Sequence, residues 1–108
     1  MVTSNAVHQG DIWWVEQPGA RRRPALVLTR ERSIDLLFDV LVAPLTTTIR
    51  DIPTEVQVGP ADGVPRASVI DLQHVMTVPK SFLRQRAAVL PDARWPEVCA
   101  AMRIAIGC

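Results

Sequence analysis

The sequence has no tyrosine, two phenylalanines, two cysteines and a single lysine, Lys80, among its 108 residues. Each shortage excludes something. Cys99 and Cys108 lie close together near the C-terminal end, with no CxxC motif and no histidines at ligand spacing. That pattern argues against a disulfide framework or a zinc site. It leaves two reduced thiols, Cys99 expected to be packed inside and Cys108 on a frayed end. No metal and no other cofactor is assigned. No apolar run approaches the roughly 20 residues of a membrane span. The first eight residues have no cationic stretch leading into an apolar core, so no secretion signal is expected, and a cytoplasmic location is. Internal repeats, low-complexity tracts and linkers are also missing, so residues 1–108 read as one domain, with 1–9 flexible. The net charge of +1 excludes a global field that draws the chain onto nucleic acid.

What the chain has instead is arginine: the twelve basic residues are eleven arginines and Lys80. Arginine forks onto phosphate and stacks on bases, which suits an RNA-handling surface, although biased composition explains such a bias equally well. The apolar pattern is β-rich. Asp11 to Val15, Ala25 to Thr29, Leu37 to Ala43 and Thr54 to Val58 read as strands. So do Ala67 to Ile70, Leu72 to Val78 and Arg86 to Leu90. Arg30 to Asp35 reads as a charged connection, and Pro79 to Leu83 as one helical turn. From Asp92 to Ile106, Trp95, Val98, Met102 and Ile106 recur at helical spacing. Asp92 is a fair N-cap for that helix, Pro96 permits a later start, and Gly107 stops it. Short strands without helical crossovers predict a mainly β fold, a small barrel of antiparallel strands with a C-terminal α-helix.

Two segments stand out, Arg21-Arg22-Arg23-Pro24-Ala25-Leu26-Val27-Leu28 and Val42-Ala43-Pro44-Leu45-Thr46-Thr47-Thr48. In the first a cationic run enters a strand; in the second a strand exits into hydroxyls. If the two strands are neighbours, a guanidinium and a hydroxyl meet at one end of a sheet, a pair able to hold a phosphodiester. The plainer alternatives are a solvated charged loop for Arg21 to Arg23 and turn hydroxyls for Thr46 to Thr48, the latter expected above all for Thr48. Trp13 and Trp14 point to opposite faces of a strand, so one is core and the other is available for stacking. Trp95 is core or dimer interface.

The ordered series Gly10-Asp11-Ile12-Trp13-Trp14-Val15, Arg23-Pro24-Ala25-Leu26-Val27-Leu28 and Ala43-Pro44-Leu45-Thr46 resembles the MazF/PemK family, toxins of type II toxin–antitoxin pairs. Gly59-Pro60-Ala61-Asp62-Gly63-Val64-Pro65, Ser68-Val69-Ile70, Thr77-Val78-Pro79-Lys80 and the terminal helix extend the resemblance over residues 10 to 107. It implies an SH3-like barrel of the MazF/PemK/CcdB type, a homodimer, and a sequence-specific, metal-independent endoribonuclease acting on single-stranded RNA. It also implies a MazE-like antitoxin with a partly disordered tail as partner. The catalytic pair it implies is Arg23 and Thr46. The RNA groove would take in Trp14, Gln17, Arg21, Arg22, Thr47, Arg50, Ser68, Gln73 and His74. The chain departs from the family in the short loop Glu16-Gln17-Pro18-Gly19-Ala20, where a longer one is usual. Asp71 and Gln73 stand where one branch places an arginine and an aspartate as acid and base, and His74 replaces a usual glutamine.

In metal-free cleavage the 2′-hydroxyl attacks its neighbouring phosphate, leaving a 2′,3′-cyclic phosphate and a 5′-hydroxyl. Arg23 stabilises charge on the phosphorane and is a poor acid or base, since its pKa exceeds about 12. Thr46 donates to, or orients, a phosphate oxygen. His74 is a secondary candidate for base or RNA contact. Two other functions remain open at this stage: a non-catalytic CcdB-like toxin that binds DNA gyrase, and an inactive SH3-like interaction module.

Overall fold

The computed structural model describes residues 6–108. Seven strands and two helices follow in chain order: β1 (Asp11–Val15), β2 (Arg23–Val27), α1 (Glu31–Ile34), β3 (Asp39–Thr46), β4 (Glu55–Val58), β5 (Ser68–Asp71), β6 (Met76–Pro79), β7 (Leu83–Val89) and α2 (Trp95–Ile106). All strand pairs are antiparallel, in the order β4-β5-β3-β2-β1-β7. The sixth strand branches off β3. Two strands therefore share one edge of β3: β6 pairs with Asp39 to Val42, and β5 takes over at Leu45 and Thr46. Pro44, which has no N–H to donate, falls in the gap between these partners. The expected barrel is thus a curled antiparallel sheet whose ladder stays open between β4 and β7.

Both faces of the central strands are buried, and the alternation of side chains sorts them into two cores. Ile12, Leu26, Ala43, Leu45 and Ile70 face one way and pack with Val98 and Ala101 of α2. Trp13, Val15, Ala25, Val27 and Val42 face the other way, with Ile34, Val40 and Val78. This explains the apolar run from Ala25 to Val27, where β2 is buried on both faces.

Several expectations need correction. The Arg30 to Asp35 connection contains one turn of helix, α1, anchored by buried Ile34 and by Lys80 Nζ on the Ile34 carbonyl at 2.8 Å. The expected strand Leu72 to Val78 splits into a 3-10 turn, Leu72–His74, and β6. The last strand starts at Leu83, because its polar Arg84-Gln85-Arg86 stretch is held by backbone pairing with β1. A separate 3-10 turn, Asp92–Arg94, precedes α2, so Asp92 does not cap it. Ile106, expected on the packed stripe, is exposed, and Cys99 is half-buried where an interior site was expected. Cys108 is exposed as expected.

The expected flexible segment 1–9 lies partly outside the described residues, and its last two positions are tied down. His8 Nδ1 sits 2.6 Å from Glu31 Oε2, and the Gln9 N–H donates to Glu31 Oε1 at 2.8 Å. The His8 amide and the Trp13 indole N–H both donate to buried Asp11. The hydrogen bond to Glu31 raises the His8 pKa above its ordinary 6.5. Reciprocally, the His8 and Gln9 hydrogen bonds lower that of Glu31 below 4.5. A raised histidine stabilises the fold fully below its unfolded pKa and loses that contribution as pH rises through the folded one. A lowered carboxylate contributes above its unfolded pKa and loses that as pH falls. The pair therefore contributes fully between about pH 4.5 and 6.5, and the contribution is lost as pH rises through the raised His8 value. Because both side chains are largely solvated, the effect is modest. Thermal unfolding of Glu31→Gln should fall further below the native protein at pH 5.5 than at pH 8; an equal gap at both values would contradict the ion pair.

Candidate active site

The register brings the two marked segments together. Ala25 pairs with Pro44, Leu26 with Ala43 and Val27 with Val42, so the same register continued by two residues sets Arg23 across from Thr46. Val15 of β1 pairs with Arg23 on its other side. Arg23 and Thr46 both line a cavity of about 530 Å³ at this end of the sheet. A second cavity, about 240 Å³, lies against β2 and β3 and shares Arg21, Arg23 and Pro24 with the first.

The larger cavity is lined by four arginines, Arg21, Arg22, Arg23 and Arg66, by the hydroxyls of Thr46, Thr47, Thr48 and Ser68, and by no carboxylate. The chain's near-zero net charge thus conceals a strongly cationic recess. Among the described residues the guanidiniums of Arg21, Arg23 and Arg66 have no hydrogen-bond or ion-pair partner. Arg22 is different: it stacks over the Trp14 ring at 4.6 Å, donates to Gln85 Oε1 at 2.7 Å and lies 3.6 Å from Glu16. Its Nη2 is thus committed within the protein, and one face of Trp14 is covered.

Thr46 Oγ1 accepts a hydrogen bond from the Thr48 N–H at 3.1 Å. The turn hydroxyl expected above all for Thr48 therefore belongs to Thr46. A hydroxyl that accepts from the backbone still has its own hydrogen to donate, so the turn orients Thr46 as a donor. The Ser68 side chain is nearly buried and donates to the Arg66 carbonyl at 2.9 Å, which commits its hydrogen internally.

The other candidates disperse. Gln17 lines only the smaller cavity and reaches Met76 Sδ at 3.8 Å. Arg50, Gln73 and His74 line neither cavity: the Arg50 amide is bound by Glu55, and Gln73 and His74 sit in the turn after β5. Trp13 is buried and Trp14 half-buried, as alternation requires. Trp95 is half-buried and packs against the first core.

Arg66, Val64 and Pro65 were missed as lining residues. They ride on the segment after the Pro60–Asp62 turn, which Arg94 fastens to α2. Arg94 bonds Asp62 at 3.0 Å, Glu97 at 2.8 Å and the Gln57 carbonyl at 2.7 Å. The available signal was position: Arg66, like Arg23, stands at the entry to a strand. Among the described residues no group of three or more His, Cys, Asp or Glu side chains is placed to hold a metal ion.

Residues 8–106 match the family described as PemK-like, MazF-like toxin of type II toxin–antitoxin system. The chain belongs to this family. It is 40% identical over 101 residues to the probable endoribonuclease MazF5 of Mycobacterium tuberculosis H37Rv, covering 93% of each chain. Among solved structures, the Mycobacterium tuberculosis toxin MazF-mt6 superposes with a TM-score of 0.83 at 32% identity, over 90% of this chain and 96% of that one. A mycobacterial endoribonuclease solved in complex with its cognate antitoxin gives a TM-score of 0.84 at 26% identity, over 94% and 96% of the two chains. The antiparallel sheet with its C-terminal helix is therefore the fold of MazF toxins, and the cationic recess lies within the matched residues of this MazF-like chain.

Proposed function

We propose that this chain is an endoribonuclease toxin that cuts single-stranded RNA at the recess between β2 and β3, held inactive by a cognate antitoxin. One observation carries the site: a guanidinium with no partner among the described residues, Arg23, and an oriented hydroxyl, Thr46, line one acid-free cavity. Family membership and relatives named endoribonuclease MazF support the reaction type.

The reaction divides among these groups. Arg21 and Arg66 attract the phosphate backbone, supplying sequence-independent affinity. Arg23 forks onto the non-bridging oxygens of the scissile phosphate, with more charge to stabilise as the phosphorane forms. Thr46 donates to an oxygen of the same phosphate and fixes it for in-line attack by the 2′-hydroxyl. The products are a 2′,3′-cyclic phosphate and a 5′-hydroxyl. The antitoxin fits the same recess through an acidic, partly disordered segment that folds as it binds. The chain acts in the cytoplasm as a homodimer; Leu36 and Phe38, 83% and 77% exposed, are apolar surface that an assembly would cover. Against a gyrase trap built on the terminal helix stands family membership rather than packing: Val98, Ala101, Trp95 and Met102 belong to the first core, but Ile104 and Ile106 stay exposed.

Thr46→Val keeps the side-chain shape and removes the donor. It should lower kcat by about ten- to a hundredfold, the scale of a hydrogen bond to a charged group, with little change in RNA affinity. Steady-state cleavage kinetics beside RNA-binding titrations check this. Equal losses in both would mean that Thr46 only supports the turn.

A further inference from the structure

Arg23 and Thr46 stabilise and orient, but neither takes the 2′-hydroxyl proton. Asp71 and His74 supply an acceptor. Asp71 ends β5 and is 7% exposed, while the His74 side chain is 64% exposed. Asp71 Oδ1 accepts from the Gln73 N–H at 3.0 Å, and Oδ2 lies 2.7 Å from His74 Nδ1. An ionised carboxylate only accepts, so the hydrogen-bond network assigns the hydrogen to Nδ1. Nε2 of the neutral ring is left as an acceptor with no partner among the described residues.

Neither side chain lines the two cavities, but continuing the sheet register sets Asp71, to which the imidazole is bonded, one row from Thr46. Thr46 faces Val69 and Leu45 faces Ile70 in the β3–β5 ladder, which ends there; the same register continued one residue past its end sets Pro44, in the gap before β6, level with Asp71. Pro44 in turn faces Ala25, two residues from Arg23. Arg23, Thr46 and Val69 thus form one row across three strands, and Ala25, Pro44 and Asp71 form the next row on the same face. At a rise of about 3.3 Å and a strand spacing of about 4.8 Å, the Asp71 Cα lies roughly 8 Å from that of Thr46 and roughly 12 Å from that of Arg23. Pro44 and Met76, which flank the pair in register and in sequence, both line the smaller cavity that Arg23 shares.

We propose that His74 is the general base of the cleavage and Asp71 the residue that positions it; this rests on the RNA-cleaving reading above. Nε2 takes the 2′-hydroxyl proton as the 2′-oxygen bonds to phosphorus and the P–O5′ bond breaks. The leaving 5′-oxygen takes a proton from solvent, and the imidazolium returns its own proton to solvent, so no net proton is consumed. The ionisable group in contact with the imidazole is Asp71. Glu55 faces Asp71 across β4, but its Oε1 is turned to the Arg50 and Asp51 amides, each at 3.0 Å. From α2, packed on the 71–74 turn, no ion pair reaches His74 among the described residues.

The test uses the purified full chain on a long single-stranded transcript in EDTA, counting new 5′-hydroxyl ends against pH. The expected wild-type profile has an acidic limb of unit slope. His74→Gln, which keeps a donor for Asp71 but no base, should lose about 10²- to 10⁴-fold in kcat, keep its KM and lose that limb. Asp71→Asn should fall between the two, and added imidazole should restore part of the activity of His74→Ala. Thermal melts establish that each variant folds. A His74→Gln kcat within about threefold of wild type, or a change confined to KM, would overturn the assignment, since the histidine would then only close the turn or touch RNA. Arg23→Ala runs in parallel: if it abolishes cleavage while His74→Gln does not, only the base assignment fails. If the wild-type chain leaves the transcript whole at every pH, the RNA-cleaving reading falls with it.

Discussion

Replacing Arg23 by alanine should lower kcat for RNA cleavage by at least about a thousandfold and abolish growth arrest, while leaving the unfolding temperature nearly unchanged. The size follows from what the side chain would do. Removing one preorganised donor from an oxyanion site costs about 10²- to 10³-fold, and a permanent charge on a phosphoryl transition state is worth more. The selectivity follows from where it sits: Arg23 is exposed at the start of β2, so truncation breaks no internal contact and stability should move by less than about 0.5 kcal/mol. Arg23→Lys should fall between, since an ammonium keeps the charge but not the planar fork. A variant that stays folded and still cuts RNA at the wild-type rate would remove Arg23 from the chemistry.

The largest effect on folding should come from Leu26→Ala. Leu26 is fully buried in the first core, with Ile12 beside it on β1 and Ala43 on β3. With strands on both sides and α2 contributing to the same core, the site has little freedom to collapse. Truncation should cost about 2–5 kcal/mol, a large part of the roughly 5–15 kcal/mol that stabilises a domain of this size. The unfolding midpoint should fall by roughly 10–20 °C in a calorimetric scan. A loss below about 1 kcal/mol would mean that this core is looser than the packing indicates.

The meeting of Arg23 and Thr46 was legible in the sequence because two prolines and two apolar runs located the strand ends. One pairing register then sufficed to bring Arg23 to Thr46. Trp13 and Trp14 were legible for the same reason, since alternation needs no tertiary information. The helix α1 was not. It has four residues and no side-chain N-cap; tertiary contacts hold it, Ile34 in the second core and Lys80 on its carbonyl. The start of β7 was hidden because Arg84, Gln85 and Arg86 carry no apolar alternation, and only the β1 ladder defines that stretch as strand. Arg66 was missed because its place at the recess depends on the Arg94 contacts from a distant helix. The exchange of roles between Thr46 and Thr48 was equally invisible, because three consecutive threonines give no local cue to which hydroxyl the turn will engage.

The most direct test of the central claim, that Arg23 and Thr46 together grip the scissile phosphodiester, is the chemistry of the cut ends. Single-stranded RNA is incubated in EDTA with the purified chain or with its Arg23→Ala variant, and the fragment termini are identified. The wild-type chain should leave 2′,3′-cyclic phosphates and 5′-hydroxyls, and the variant should leave the RNA whole. Intact RNA with the wild-type chain, or identical fragments from both proteins, would contradict the account.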